Sequence, residues 1–235
     1  LMGVDTFLES RAGKALISRV LGYFDARLEG AHHLPKEGGA LLVANHGLFG
    51  FDAFVLGALL AKNGRTPWWL ADRNMFSTPG FTPALQFAKA IPGAPEPAMD
   101  LLRRGELVVV YPGGIFDSYK LSRDRHRLHW RGRSGFVKIA MSAGVPIIPV
   151  AACGVDDMYR VVAREPLLGR LLFGDARYNL PIAFGRWGSL LPKRVPIVVH
   201  ALGVVPTHGD VSDEGRIQSL RDLVEQMIQS KLDAT

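Results

Sequence analysis

Cysteine is nearly missing from this chain: Cys153 stands alone among 235 residues. No internal disulfide can form, and a cysteine-based zinc site is excluded. Long apolar runs are missing as well. The longest stretch without a charge, Ile139 to Val155, has 17 residues and contains Gly144, Pro146 and Pro149. That falls short of the roughly 20 apolar residues of a membrane span; it reads as a helix end, a turn and a buried strand. No Gly-x-Ser-x-Gly elbow occurs, which argues against a serine hydrolase of that type. The Gly-Lys-Ser/Thr of a phosphate-binding P-loop is missing too. There are no internal repeats, no linker long enough to separate domains and no legible secretory leader. Acidic residues are outnumbered, 22 against 28 Lys plus Arg, for a net charge of +6. A basic balance suits nucleic acid, an anionic membrane surface or phosphorylated substrates. No nucleic-acid module accompanies it, so no nucleic-acid partner is expected. Hydrophobic residues make up 48%, enough for one well-filled domain and too many for a disordered chain.

What is present centres on Gly39-Gly-Ala-Leu-Leu-Val-Ala-Asn45-His46-Gly-Leu-Phe-Gly-Phe51-Asp52. The apolar run Ala40 to Ala44 has strand character and ends at Asn45 and His46. Gly47 and Gly50 let the chain turn before a helical pattern starts near Phe51. His46 is thereby placed at the carboxyl end of a buried strand, where α/β sheets open onto a crevice. Asp52 falls in the first turn of the next helix, where the dipole favours a carboxylate. A histidine beside a carboxylate can serve as a general base. Taken alone, the same residues also fit a strand-end histidine in an ordinary hydrogen bond.

The rest of the chain follows the same grammar. Residues 6 to 24 place Leu8, Ala12, Leu16, Val20 and Phe24 at helical spacing, with Arg11, Lys14 and Arg19 elsewhere. Such a basic amphipathic helix either lies in a membrane interface or packs on the domain. Glu29 to Gly39 is a connector, and Pro67 to Ala71 a short strand. Asn74 to Ala88 is uncharged and aromatic, the wall of an apolar channel or a packed loop. Pro92 to Pro97 reads as a surface turn and Ala98 to Arg104 as a short helix. Leu107 to Tyr111 is the clearest central strand. Pro112-Gly113-Gly114 follows it, and glycines there allow close approach to backbone N–H groups. Arg123 to Arg133 carries five arginines and a single acid, Asp124. This is either a site for phosphates of a co-substrate or lipid head group, or a solvated loop. His126 and His129 are not assigned as a metal pair, and no metal is expected. Gly135 to Ala143 is a helix, Val145 to Cys153 a buried strand and Val195 to Leu202 a last core strand. Leu167 to Leu191 is apolar but interrupted by Arg170, Arg177 and Arg186, as in a segment that snorkels at an interface or covers a pocket. Ser212 is placed as the cap of a final helix with its buried stripe at Ile217, Leu220, Val224, Met227 and Ile228.

Three of these blocks resemble the glycerolipid acyltransferase superfamily: His46…Asp52, Tyr111-Pro-Gly-Gly114 and Gly144-Val-Pro-Ile-Ile-Pro149. The likeness is nearest to the branch of type 2 diacylglycerol acyltransferases, plant phytyl ester synthases and their small relatives. That branch has Pro-Gly-Gly-x-x-Glu, followed by blocks similar to Gly132-Arg133-Ser134-Gly135-Phe136 and Gly154-Val-Asp-Asp-Met-Tyr159. In order and spacing the likeness covers about residues 38 to 160.

The resemblance implies an α/β fold: a single domain with a mostly parallel central sheet flanked by helices and an N-terminal amphipathic helix. Residues 1–37 would be that helix and its connector, 38–235 the acyltransferase domain. His46 would be the general base and Asp52 its orienting carboxylate. Asn45, Tyr111, Pro112, Gly113, Gly114, Phe116, Asp117 and Arg133 would bind substrate, with the Gly113 and Gly114 amides stabilising an oxyanion. The co-substrate would be acyl-CoA or acyl carrier protein, with no other cofactor. The partners would be membrane lipids, and the location a peripheral one on the cytoplasmic face of a membrane. Three departures from the family pattern carry meaning. His46 and Asp52 are separated by five residues rather than four. Phe116 stands where enzymes with phosphate-bearing acceptors have arginine, which favours a neutral acceptor such as a mono- or diacylglycerol or a long-chain alcohol. Asp117 stands where the branch has Glu. A lysophospholipid or glycerol-phosphate acceptor is the alternative, and a non-catalytic lipid-binding protein the alternative of another class.

Overall fold

The computed structural model describes residues 3–77, 82–165 and 179–235. The chain begins with α1 (Val4–Glu9) and α2 (Arg11–Tyr23), not with one continuous helix. Ser10 makes the break. Its backbone is extended, and its hydroxyl accepts the Gly13 N–H at 3.1 Å, so it caps α2 instead of continuing α1. Leu21 and Phe24 are buried, and Ile17 and Val20 pack against the same cluster; Leu16 stays exposed.

Nine strands follow: β1 (Arg27–Glu29), β2 (Ala40–Ala44), β3 (Trp68–Ala71), β4 (Ala90–Pro92), β5 (Leu107–Val110), β6 (Ile147–Cys153), β7 (Arg160–Glu165), β8 (Leu180–Phe184) and β9 (Val198–Ala201), counted among the described residues. Seven of them form one sheet in the order β1-β9-β6-β2-β5-β3-β4. The run from β6 to β4 is parallel; β9 is antiparallel to β6, and β1 is parallel to β9. β7 and β8 form a separate antiparallel pair. β2 sits between β5 and β6, and all five of its residues are buried. That is why its sequence is continuous rather than alternating.

Among the described residues the remaining α-helices are α3 (Phe51–Lys62), α4 (Arg73–Ser77), α5 (Thr82–Phe87), α6 (Pro95–Arg103), α7 (Ile115–Ser118), α8 (Gly135–Ala143) and α9 (Glu214–Asp233). The two sheet faces bury separate clusters. Leu42 and Ala44 of β2 meet Val55, Leu56 and Leu59 of α3 together with Leu21 and Phe24. Leu41 and Val43 meet Leu102 of α6, Val137 and Ala140 of α8 and Ile217, Val224 and Ile228 of α9. The result is a three-layer α/β domain.

Local readings shift in three places. Pro95 does not continue a turn but opens α6, where a proline at the first helical positions loses no hydrogen bond. The cap of α9 is Asp213, whose carboxylate accepts the Arg216 N–H at 2.9 Å, rather than Ser212. The aromatic segment from residue 74 is largely α4 and α5, with residues 78–81 outside the described residues. Of the apolar segment Leu167 to Leu191, residues 167–178 also lie outside them. Among the described residues no helix is long and apolar enough to cross a membrane.

Candidate active site

The carboxyl ends of β2, β5 and β6 lie side by side, and the chain leaves each of them with chemistry-bearing residues. At the end of β2, Asn45 turns inward. Its amide donates to the Ala152 carbonyl at 3.1 Å and accepts the Ala152 N–H at 2.8 Å, extending the ladder to β6 by one rung. With both polar ends engaged and no exposed surface, Asn45 braces the end of β2 against β6.

His46 comes next, and its side chain keeps 21% of its surface exposed. Nδ1 lies 2.9 Å from Oδ2 of Asp52. The extra residue between them is absorbed in a 3-10 turn, Leu48–Gly50. There Phe49 (φ 60, ψ 11) and Gly50 (φ 72, ψ 14) both take the left-handed conformation and swing Asp52 back under the ring. Left-handed backbone is costly for phenylalanine and persists only where its surroundings impose it. Asp52 itself is buried in the first turn of α3. With Nδ1 facing a carboxylate, the neutral ring carries its proton there and leaves the Nε2 lone pair for substrate. Burial lowers the affinity of the ring for a proton. The charge and hydrogen bond of Asp52, helped by Asp117 and opposed by Lys120, more than reverse this, and the pKa is raised from 6.5.

Tyr111, at the end of β5, stacks on the imidazole with centroids 4.1 Å apart and planes at 17°. Trp69 lies parallel to Tyr111 at 6.3 Å. Burial and the nearby Asp52 charge push the phenol well above its usual range. Its hydroxyl and Oδ1 of Asp52 are both buried without a hydrogen-bond partner.

The turn after Tyr111 is shaped by two glycines. A side chain on Gly113 would stand 2.3 Å from Cβ of Asp117, and Gly114 takes φ 52, ψ −133. The Gly114 N–H is bonded to the Tyr111 carbonyl at 3.0 Å, so it is not free to hold an oxyanion. Among the described residues the buried Gly113 amide has no such partner. Arg133 holds the turn through the Pro112 carbonyl at 2.9 Å. Phe116 lies beneath two guanidiniums, Arg131 at 4.3 Å and Arg133 at 5.3 Å.

Asp117 is also turned inward. It is wholly buried; Oδ2 accepts the backbone N–H of His46 at 2.9 Å, and Oδ1 accepts from Lys120 at 3.2 Å. Lys120, also buried, bonds Asp156 at 2.9 Å. Burial opposes its charge, but the two carboxylates outweigh that and raise its pKa. The Ser118 hydroxyl donates to the Gly47 carbonyl at 2.8 Å. Sequence reading missed Lys120, Ser118 and Asp156. The Asp156-Asp157 pair at the end of β6 was visible, but nothing local tied it to Lys120. A cavity of about 820 Å³ lies at the other end of the sheet, between α1, α2 and the carboxyl end of α3. It is not the space that His46 faces.

Comparison with known proteins adds the following. The family model described as Acyltransferase matches residues 25–152. A Bos taurus protein named "DGAT1/2-independent enzyme synthesizing storage lipids" is 31% identical over 159 residues, covering 67% of this chain and 47% of its own length. The Homo sapiens protein of that name is 30% identical, with 67% and 48% covered. An uncharacterized Mycobacterium leprae protein is 35% identical over 158 residues, with 63% and 42% covered. The chain thus spans about half the length of these relatives, or less. In structure it is similar to PlsC, the 1-acyl-sn-glycerophosphate (LPA) acyltransferase of Thermotoga maritima. The TM-score is 0.56 at 16% identity, over 98% of this chain and 86% of that one, a likeness of fold.

Proposed function

The chain belongs to the Acyltransferase family, and from that membership we propose that it moves a fatty acyl group from a thioester, acyl-CoA or acyl carrier protein, to the hydroxyl of a lipid. The observation that carries the proposal is the 2.9 Å contact between Nδ1 of His46 and Asp52, which leaves Nε2 as the base. Nε2 takes the proton of the acceptor hydroxyl as that oxygen attacks the thioester carbonyl carbon. The carbonyl π pair moves to oxygen, where the Gly113 N–H is the backbone donor left by the turn. Collapse reforms the carbonyl, breaks the C–S bond, and the leaving thiolate takes the proton from the imidazolium. Asp52 stabilises that imidazolium throughout. No acyl-enzyme is required, and Cys153 remains a buried core residue.

A neutral acceptor, a mono- or diacylglycerol or a long-chain alcohol, is the preferred substrate, because Phe116 stands where an arginine would meet an acceptor phosphate. The second reading, a lysophospholipid or glycerol-phosphate acceptor, draws on Arg131 and Arg133, whose guanidiniums lie over that same ring. The working place is a peripheral one at the cytoplasmic face of a membrane. Labelled acyl-CoA offered to diacylglycerol and to lysophosphatidate in parallel tests the reading. Transfer to lysophosphatidate alone reverses the acceptor preference. His46→Ala should lower transfer by at least about a hundredfold while the fold is kept; full activity in that variant would show that His46 is not the base, and an unchanged chain that transfers nothing would leave a lipid-binding role.

A further inference from the structure

One turn holds its large apolar side chains in solvent. Trp187 is 80% exposed, Leu190 69% and Leu191 58%. Ile182 and Phe184, alternate residues on one face of β8, are exposed beside them in sequence. Exposed apolar groups gathered in this way mark an interaction surface.

The turn is built rather than slack. The Gly185 N–H bonds the Ser189 carbonyl, the Arg186 N–H the Leu191 carbonyl and the Ser189 N–H the Arg186 carbonyl. The Ser189 hydroxyl accepts the Leu191 N–H. From below, the Tyr159 hydroxyl donates to the Leu190 carbonyl at 2.8 Å and the Tyr23 hydroxyl to the Pro192 carbonyl at 2.7 Å. Backbone groups paired in this way lose little on leaving water, which is the condition for entering a medium without hydrogen bonds. Trp187 is held at φ 54, ψ 29, a strained conformation for a bulky residue, with the Arg186 guanidinium 4.0 Å over its ring.

Charge points to the occupant. Residues 180–194 carry Arg186, Lys193 and Arg194 and no Asp or Glu. Tryptophan and leucine at a tip with cations at its base match the boundary of an anionic bilayer. The turn also shares a side with the catalytic residues. Tyr159, which supports Leu190, packs edge-on against Phe49 at 5.3 Å, three residues beyond His46.

We propose that the Gly185–Pro192 turn inserts into an anionic lipid surface. Trp187, Leu190 and Leu191 enter the acyl boundary, and Arg186, Lys193 and Arg194 meet the head-group phosphates. The purpose of this docking, delivering lipid to His46, rests on the acyl-transfer reading; its measurement does not.

The test uses the whole chain with phosphatidylcholine vesicles, with and without phosphatidylglycerol. Trp187→Asn, chosen because asparagine tolerates positive φ, is combined with Leu190→Ser and Leu191→Ser. The unchanged chain should co-sediment with the anionic vesicles and less with phosphatidylcholine alone. The triple variant should bind at least roughly a hundredfold more weakly, unfold at the same temperature, and turn over short-chain substrates in free solution at the same rate. Three results would overturn the proposal: a variant that binds vesicles normally, an unchanged chain that ignores them, or a dimer that the variant dissolves. If vesicle binding depends on the turn but no lipid alcohol is acylated, the docking stands and the acyl-transfer reading falls.

Discussion

Oδ2 of Asp117 accepts the backbone N–H of His46 at 2.9 Å, tying the loop after β5 to the end of β2. The carboxylate thus sets where the His46 imidazole stands. Its other oxygen neutralises Lys120, which is buried and shared with Asp156. Asp117→Ala removes the anchor of the loop and half of the compensation of a buried cation. It should cost about 3–5 kcal/mol of stability and most of kcat, with KM little changed in the protein that remains folded. Urea unfolding combined with steady-state kinetics checks both; a selective rise in KM would return Asp117 to the substrate.

The pH profile tests the base. Under the proposed mechanism transfer needs neutral His46, so kcat/KM should rise with pH through a midpoint above 6.5, because the folded-state pKa is raised. Asp52→Asn removes the charge that lifts it and leaves burial to act alone. The midpoint should then move to lower pH, and the plateau should fall by about a thousandfold or more. The same shift fixes the sign for stability. A raised pKa means a stabilising contribution fully present below pH 6.5 and lost as pH rises through the folded value. The thermal midpoint should fall over that window more in the unchanged chain than in His46→Gln.

Tyr111 separates its ring from its hydroxyl. The ring lies flat on the imidazole, while the hydroxyl is buried without a partner. Tyr111→Phe keeps the stack and removes an unsatisfied group, so it should leave kcat near its starting value and stability equal or up to about 1 kcal/mol higher. Tyr111→Leu keeps bulk but not the flat face, and should lower kcat without a matching loss of stability. Calorimetry and turnover on the two variants decide this; equal rates in both would make the stack irrelevant.

How far the sequence reveals this arrangement depends on how local each signal is. β2, β5 and α8 are legible because burial on both faces makes a parallel strand continuously apolar, and because Gly144 ends α8 cleanly. β1 is not: it has three residues, and Arg27 and Glu29 point to solvent at the sheet edge. The His46 and Asp52 contact is also local, a strand end and the helix that follows it. Asn45 and Asp117 sit at equally suggestive positions, yet both turn inward to serve the backbone. Sequence gives nearness to a strand end but not side-chain direction. Lys120 and Asp156 are beyond a local pattern, since only the sheet topology brings the ends of β5 and β6 together.

Gly113 offers the sharpest test of that coupling. A methyl group there would stand 2.3 Å from Cβ and 2.9 Å from Cγ of Asp117, so one of the two must move. Overpacking of this kind costs about 1–3 kcal/mol. The larger effect should fall on rate, because a displaced Asp117 carries the His46 backbone with it. A shift near 1 Å is enough for about a hundredfold loss. Gly114→Ala is the companion variant. It strains a backbone angle that only glycine takes readily, yet it meets Arg133 rather than Asp117. Gly113→Ala should therefore lose more kcat per unit of stability lost than Gly114→Ala. Equal ratios in urea unfolding and turnover would show that the turn matters only for its own conformation, and that the route from Asp117 to the imidazole carries no catalytic weight.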